Sequence, residues 1–131
     1  MRILIVEDDF VGRKVMHQVL LEYGECDIAV DGLEAVKAFD LAWNSGKPYD
    51  VIFLDIMMPN MSGHEALKII RDRERERGVL PAREVKVIMT SALDDVKNVT
   101  QSFFQGGASA YLVKPIERRK VIEELRKLGL A

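Results

Sequence analysis

Five short apolar runs punctuate the chain: Ile3–Val6, Ile28–Val30, Val51–Leu54, Val85–Met89 and Ala110–Val113. Most are rich in β-branched residues and nearly continuous rather than alternating, the pattern of strands covered on both faces. Cys26-Asp27-Ile28 is more mixed, as expected of a strand at a sheet edge. Longer segments with helical spacing lie between the runs. Val11, Val15 and Val19 recur every four residues, as do Ala66 and Ile70 with Ile69 on their flank; Val121, Leu125 and Leu128 take a four-then-three step. Helix starts are marked by Asp31 with Glu34 and by Ser62 with Glu65, two capping boxes, and Asp9 is placed to cap the first helix. Gly24, Gly46, Gly78 and Gly129 sit where helices are expected to stop. Strands alternating with helices predict right-handed βαβ crossovers and a doubly wound α/β fold: a five-stranded parallel sheet with helices on both faces. The alternating charges of Arg71-Asp72-Arg73-Glu74-Arg75-Glu76-Arg77 read as a solvated end of the third helix.

Composition narrows the function classes. The chain has 131 residues, 48% hydrophobic and 31% charged, which suits one domain able to bury a core without staples. Its 21 acids against 19 bases leave a net charge of −2, giving no general attraction to nucleic acid or to an anionic membrane. A single cysteine, Cys26, excludes an internal disulfide and any multi-cysteine metal site. The opening apolar run is too short for a signal-peptide core, and no stretch approaches the roughly 20 apolar residues of a membrane span. The expected location is the cytoplasm.

Open parallel α/β sheets place their sites at the carboxyl ends of the strands, near the point where strand order reverses. The residues there are Glu7, Asp8 and Asp9 after the first strand, Asp55 after the third, Thr90 and Ser91 after the fourth, and Lys114 followed by Pro115 after the fifth. Two carboxylates about 4 Å apart repel by roughly 4 kcal/mol at an effective dielectric near 20. Either one acid keeps its proton or a hard cation binds between them. An all-oxygen ligand set without His or Cys favours Mg²⁺, with Mn²⁺ as a substitute. A cation beside a lysine and a hydroxyl suits phosphate oxygens, and a carboxylate can be the nucleophile of phosphoryl transfer. Asp55, at the end of the central strand, has the best access.

These residues carry a family resemblance. Ile-Leu-Ile-Val-Glu7-Asp8, Asp31-Gly32-Leu33-Glu34-Ala35, Asp55-Ile56-Met57-Met58-Pro59-Asn60-Met61-Ser62-Gly63, Met89-Thr90-Ser91-Ala92 and Gly107-Ala108-Ser109-Ala110-Tyr111-Leu112-Val113-Lys114-Pro115 occur in this order. Together they resemble response-regulator receiver domains of the single-domain, chemotaxis-regulator-like kind, over essentially the whole of residues 1–131. The resemblance implies a flavodoxin-like (βα)5 fold with strand order 2-1-3-4-5. It implies Asp55 as phosphoacceptor; Asp8 as the direct metal-ligand acid with Glu7 acting mainly through water, and Asp55 and the backbone carbonyl of Met57 as further ligands; and Lys114 as partner first of the acceptor and then of the phosphoryl group, its bond to Pro115 cis. Ser91, which precedes Ala92 as the family's hydroxyl-alanine pair requires, is preferred to Thr90 as the switch hydroxyl. Tyr111 matches the switch aromatic, although half-buried packing explains it nearly as well. Met57 and Leu93 occupy variable positions expected to influence phosphoryl lifetime.

The implied function is a phosphorylation switch rather than an enzyme acting on free substrates. A sensor histidine kinase or a histidine phosphotransfer protein would supply the phosphoryl group. The face of the fourth helix, fifth strand and fifth helix would control a downstream protein. Val11, Gly12 and Val15 resemble the kinase-docking surface, although both valines suit a core equally. An aspartyl phosphohydrolase would want an acid two residues after Asp55, where Met57 stands. A nucleotide- or flavin-binding protein would want a glycine- or hydroxyl-rich loop after the first strand, where Glu7-Asp8-Asp9-Phe10 stands. His17 and His64 read as surface or helix residues, and Trp43, Phe103 and Phe104 as core or half-buried ones.

Overall fold

The computed structural model describes residues 1–92 and 107–131. Strands β1 (Arg2–Val6), β2 (Glu25–Ala29), β3 (Val51–Asp55), β4 (Lys86–Ser91) and β5 (Ala110–Val113) form one sheet of order β2-β1-β3-β4-β5. All four pairings are parallel. The described helices are α1 (Phe10–Leu20), α2 (Gly32–Asn44), α3 (Gly63–Glu76) and α4 (Arg118–Lys127), with a 3-10 turn at Pro81–Arg83. The helix expected fourth in the chain, with Leu93, Phe103 and Phe104, lies outside the described residues, so α4 is the helix expected fifth. Among the described residues no helix is long and apolar enough to cross a membrane.

Continuous apolar strands are explained by burial on both faces. Side chains alternate along a strand, and both sets here meet helices. Ile3, Ile5, Phe53 and Ile88 pack with Met16 and Leu20 of α1 and with Val121 and Leu125 of α4. Leu4, Val6, Ile52 and Leu54 pack with Phe39 of α2 and with Leu67 and Ile70 of α3. The mixed Cys26-Asp27-Ile28 run is an edge strand, with Ile28 46% exposed. The predicted caps form: Asp9, Asp31 and Ser62 accept from the backbone N–H groups of Gly12, Glu34 and Glu65.

Three local expectations are corrected. Val11 and Val15 do not share a buried stripe with Val19; they are 65% and 39% exposed, and α1 is buried through Met16, Val19 and Leu20. Gly46, Gly78 and Gly129 terminate helices with positive φ, but Gly24 does not. A Cβ on Gly24 would lie 2.0 Å from the Met1 carbonyl oxygen, so close passage of the chain start demands this glycine. The charged end of α3 is not wholly solvated either. Arg71 and Glu74 are 5% and 2% exposed. Arg71 Nη1 donates to Glu74 Oε1 at 2.7 Å and to the Val85 carbonyl at 2.8 Å. Its Nε and Nη2 both donate to the Gly107 carbonyl, and Glu74 Oε2 accepts from the Val85 N–H at 2.7 Å. This pair satisfies backbone groups at the start of β4 and just before β5, so the end of α3 is tied to both.

Candidate metal and phosphoryl site

The order of the sheet reverses between β1 and β3, and these two strands deliver the acids. The ladder runs past β1, because the Glu7 N–H donates to the Ala29 carbonyl. Glu7 is therefore held in strand geometry and is only 4% exposed, while Asp8 and Asp9 emerge into solvent. Arg13, in the first turn of α1, folds back and donates from Nη1 to the carbonyls of Glu7 and Asp8. At the end of β3, Asp55 is 3% exposed. The next residue is pinned on two sides: the Ile56 N–H donates to the Thr90 carbonyl, and the Ile56 carbonyl accepts from the Gly63 N–H. Gly63 is required there, since a Cβ on it would lie 2.3 Å from the Asp55 carbonyl oxygen.

Lys114 reaches the acids from the end of β5, where its bond to Pro115 is cis. Its Nζ lies 2.7 Å from Glu7 Oε1 and 3.2 Å from Asp55 Oδ2, so it bridges the two and is closer to Glu7. One carboxylate oxygen each from Glu7, Asp8 and Asp55 fall within 4.8 Å of one another. Burial, then the hydrogen bond and charge of Glu7, push the Asp55 carboxyl up to about 7 against the pull of Lys114. Burial also acts to raise Glu7, but its hydrogen bonds with Asp55 and Lys114 prevail and hold it low. Burial would lower the Lys114 ammonium, but the two acids outweigh this and raise it. Without a cation, the crowding of Glu7 and Asp55 beside one ammonium favours a proton on Asp55. Three oxygen donors at this spacing, with no nitrogen or sulfur ligand, fit a hard divalent ion able to replace that proton.

The two hydroxyls at the end of β4 differ. Thr90, opposite Asp55 in the register, lines a cavity of about 270 Å³ that also borders Glu7, Gly12 and Lys114. Ser91 is 1% exposed, its Oγ lacks a hydrogen-bond partner among the described residues, and its carbonyl accepts from the Lys114 N–H. By strand alternation it shares the sheet face of Val87 and Met89. Tyr111, on the edge strand β5, is 43% exposed, and Met57 is 63% exposed. Sequence reasoning overlooked Arg13, although a base in the first turn of a helix opposes the helix dipole and so signals a local partner. It also overlooked Asn60, whose Nδ2 donates to Asp31 Oδ2 and whose φ is +67°.

Fold and site together define a receiver. Residues 3–126 match the family model of the response regulator receiver domain. The chain belongs to that family, which serves two-component signalling. It is 33% identical to the chemotaxis protein CheY of Treponema pallidum over 95% of this chain and 79% of that one. It is also 33% identical to hybrid signal transduction histidine kinase L of Dictyostelium discoideum, over 98% of this chain but only 7% of the kinase's length. Among solved structures, a chain of the CheX-CheY-BeF3-Mg+2 complex from Borrelia burgdorferi aligns with TM-score 0.83 and 29% identity, covering 98% of this chain and 89% of the other. A chain of the Saccharomyces cerevisiae complex of the phosphotransfer protein Ypd1 with the receiver domain of Ssk1 aligns with TM-score 0.83 and 26% identity, covering 98% and 88%.

Proposed function

We propose that this receiver accepts a phosphoryl group from a phosphohistidine of a sensor kinase or phosphotransfer protein onto Asp55. The observation that carries the reading is Asp55 Oδ2 at 3.2 Å from Lys114 Nζ, with Glu7 and Asp8 near enough to share one cation with it. Glu7, Asp8, Asp55 and the Met57 carbonyl would hold Mg²⁺, which when bound offsets the charge of the carboxylates and of the incoming phosphoryl oxygens. Asp55 must be ionised to attack. Its carboxylate oxygen forms a bond to phosphorus as the phosphorus–nitrogen bond breaks; the donor ring carries a proton on its other nitrogen, so the bonding pair stays on nitrogen and a neutral imidazole leaves. Lys114, held between Glu7 and Asp55, stabilises the charge on the transferring oxygens.

Phe10, Val11 and Val15 are 62%, 65% and 39% exposed on α1, beside the cavity that reaches Lys114. This apolar surface supports docking of the donor protein, as does the likeness to a receiver crystallised with a phosphotransfer protein. The Ser91 hydroxyl, buried and without a partner among the described residues, supports a switching role: leaving such a group unsatisfied costs about 1–3 kcal/mol. Ser91 and Lys114 would bind the new phosphoryl oxygens, and Tyr111 would follow inward, remodelling the face that β5 and α4 present to a downstream protein. Driving a two-state switch from 1:99 to 99:1 takes about 5.5 kcal/mol. Two charge-assisted hydrogen bonds at about 1.5–3 kcal/mol each supply much of it.

The test is incubation with acetyl phosphate or phosphoramidate and Mg²⁺, followed by intact mass measurement. The wild type gains a single phosphoryl group and Asp55→Asn gains none. Labelling that survives Asp55→Asn, or that proceeds equally in excess EDTA, refutes the assignment.

A further inference from the structure

Glycine inside a helix is destabilising relative to alanine, so Gly12 in the first turn of α1 needs a reason. Its φ is not positive, so conformational freedom does not supply one. Space does. A Cβ built on Gly12 would lie 3.0 Å from Glu7 Oε1, 3.1 Å from its Cγ and 3.2 Å from its Cδ. Three consecutive atoms of the Glu7 side chain thus lie against the bare glycine. Glutamate is one methylene longer than aspartate, and the extra length occupies the room a side chain at position 12 would need.

Glu7 is also held from other directions. Its Oε1 pairs with Lys114 Nζ at 2.7 Å, and its Oε2 accepts from the Asp9 N–H at 3.3 Å. The backbone beneath it cannot retreat easily, because Arg13 donates to the carbonyls of both Glu7 and Asp8.

We infer that Gly12 is a positioning residue that decides which length of acid β1 can present to the cation: it is the steric complement of a glutamate at position 7. This rests on the reading of Glu7, Asp8 and Asp55 as a Mg²⁺ site. A methyl group at position 12 moves the Glu7 carboxylate by a few tenths of an ångström, away from α1. Mg²⁺ tolerates displaced ligands poorly because it demands near-ideal octahedral geometry. An aspartate at position 7 would withdraw from the same contact.

The test is a two-by-two comparison of the wild type, Gly12→Ala, Glu7→Asp and the double variant. Each is titrated with Mg²⁺ by calorimetry and melted in EDTA. Gly12→Ala weakens Mg²⁺ binding by about fivefold or more in the wild-type background and by less than about twofold in the Glu7→Asp background, since coupling shows as non-additivity. In EDTA the double variant melts above Glu7→Asp, because alanine is the better helix former. A wild type that binds Mg²⁺, with a Gly12→Ala effect equal in both backgrounds or absent from both, overturns the steric pairing alone. A wild type that binds no Mg²⁺ overturns the metal reading and this inference with it.

Discussion

Glu74→Ala lowers the unfolding free energy by about 3–5 kcal/mol, because it leaves the Arg71 guanidinium buried without its principal counter-charge. The cost has a second source: Glu74 Oε2 accepts from the Val85 N–H at 2.7 Å, so that donor is orphaned as well. Glu84 Oε2, 3.2 Å from Arg71 Nε, offers partial compensation and places the effect toward the lower end. Glu74→Gln keeps an acceptor for Val85 and costs less. Glu84→Ala costs under about 1 kcal/mol, as its side chain is 28% exposed and the pair is screened by water. Urea denaturation with a constant slope gives all three values. A Glu74→Ala loss below about 1 kcal/mol would mean that water reaches the pair and that it does not tie α3 to β4 and the approach to β5.

That clamp shows where sequence reading stops. In Arg71–Arg77 the charges alternate, and nothing in the run distinguishes the two side chains that turn inward. The distinction comes from partners far along the chain, the Val85 backbone and the Gly107 carbonyl, which only the fold brings to α3. Gly24 is the same kind of case, since its requirement is the Met1 carbonyl rather than a helix end. Val11, Val15 and Val19 show the opposite failure: a clean four-residue spacing is real, yet on α1 only its last member is buried. By contrast, β1 and β3 were legible because burial on both faces leaves no polar position to break an apolar run, and β4 was legible through Val87, Ile88 and Met89 although Lys86 interrupts its start. The acids and Lys114 were legible for a related reason. A parallel sheet places the residue after every strand at the same edge, so sequence position translates directly into proximity. What spacing could not supply was the hierarchy within the site. Lys114 sits closer to Glu7 than to Asp55, and Gly12 and Arg13 shape the first acid from behind.

The hierarchy has a thermodynamic consequence in the metal-free protein. An Asp55 carboxyl pushed from 3.8 to about 7 binds its proton more tightly folded than unfolded. Stability therefore falls as pH rises from about 4 to 7, and the full cost is present above that window. The opposite shift of Glu7 acts below its ordinary value of 4.5, and the raised Lys114 acts above 10.5, so neither changes sign within it. Asp55→Asn removes the titration with almost no change of shape. In EDTA at pH 8 the variant is expected to be more stable than the wild type by about 2–4 kcal/mol, an advantage that shrinks toward pH 4. Mg²⁺ at free concentration c stabilises the wild type by RT ln(1 + c/Kd), which keeps growing beyond saturation, and it closes the gap because the variant lacks one of the three carboxylates. Urea melts across this pH range, with and without Mg²⁺, measure both effects. A stability difference independent of pH would show that Glu7 and burial do not hold the proton on Asp55, and that the crowding of acids is relieved some other way.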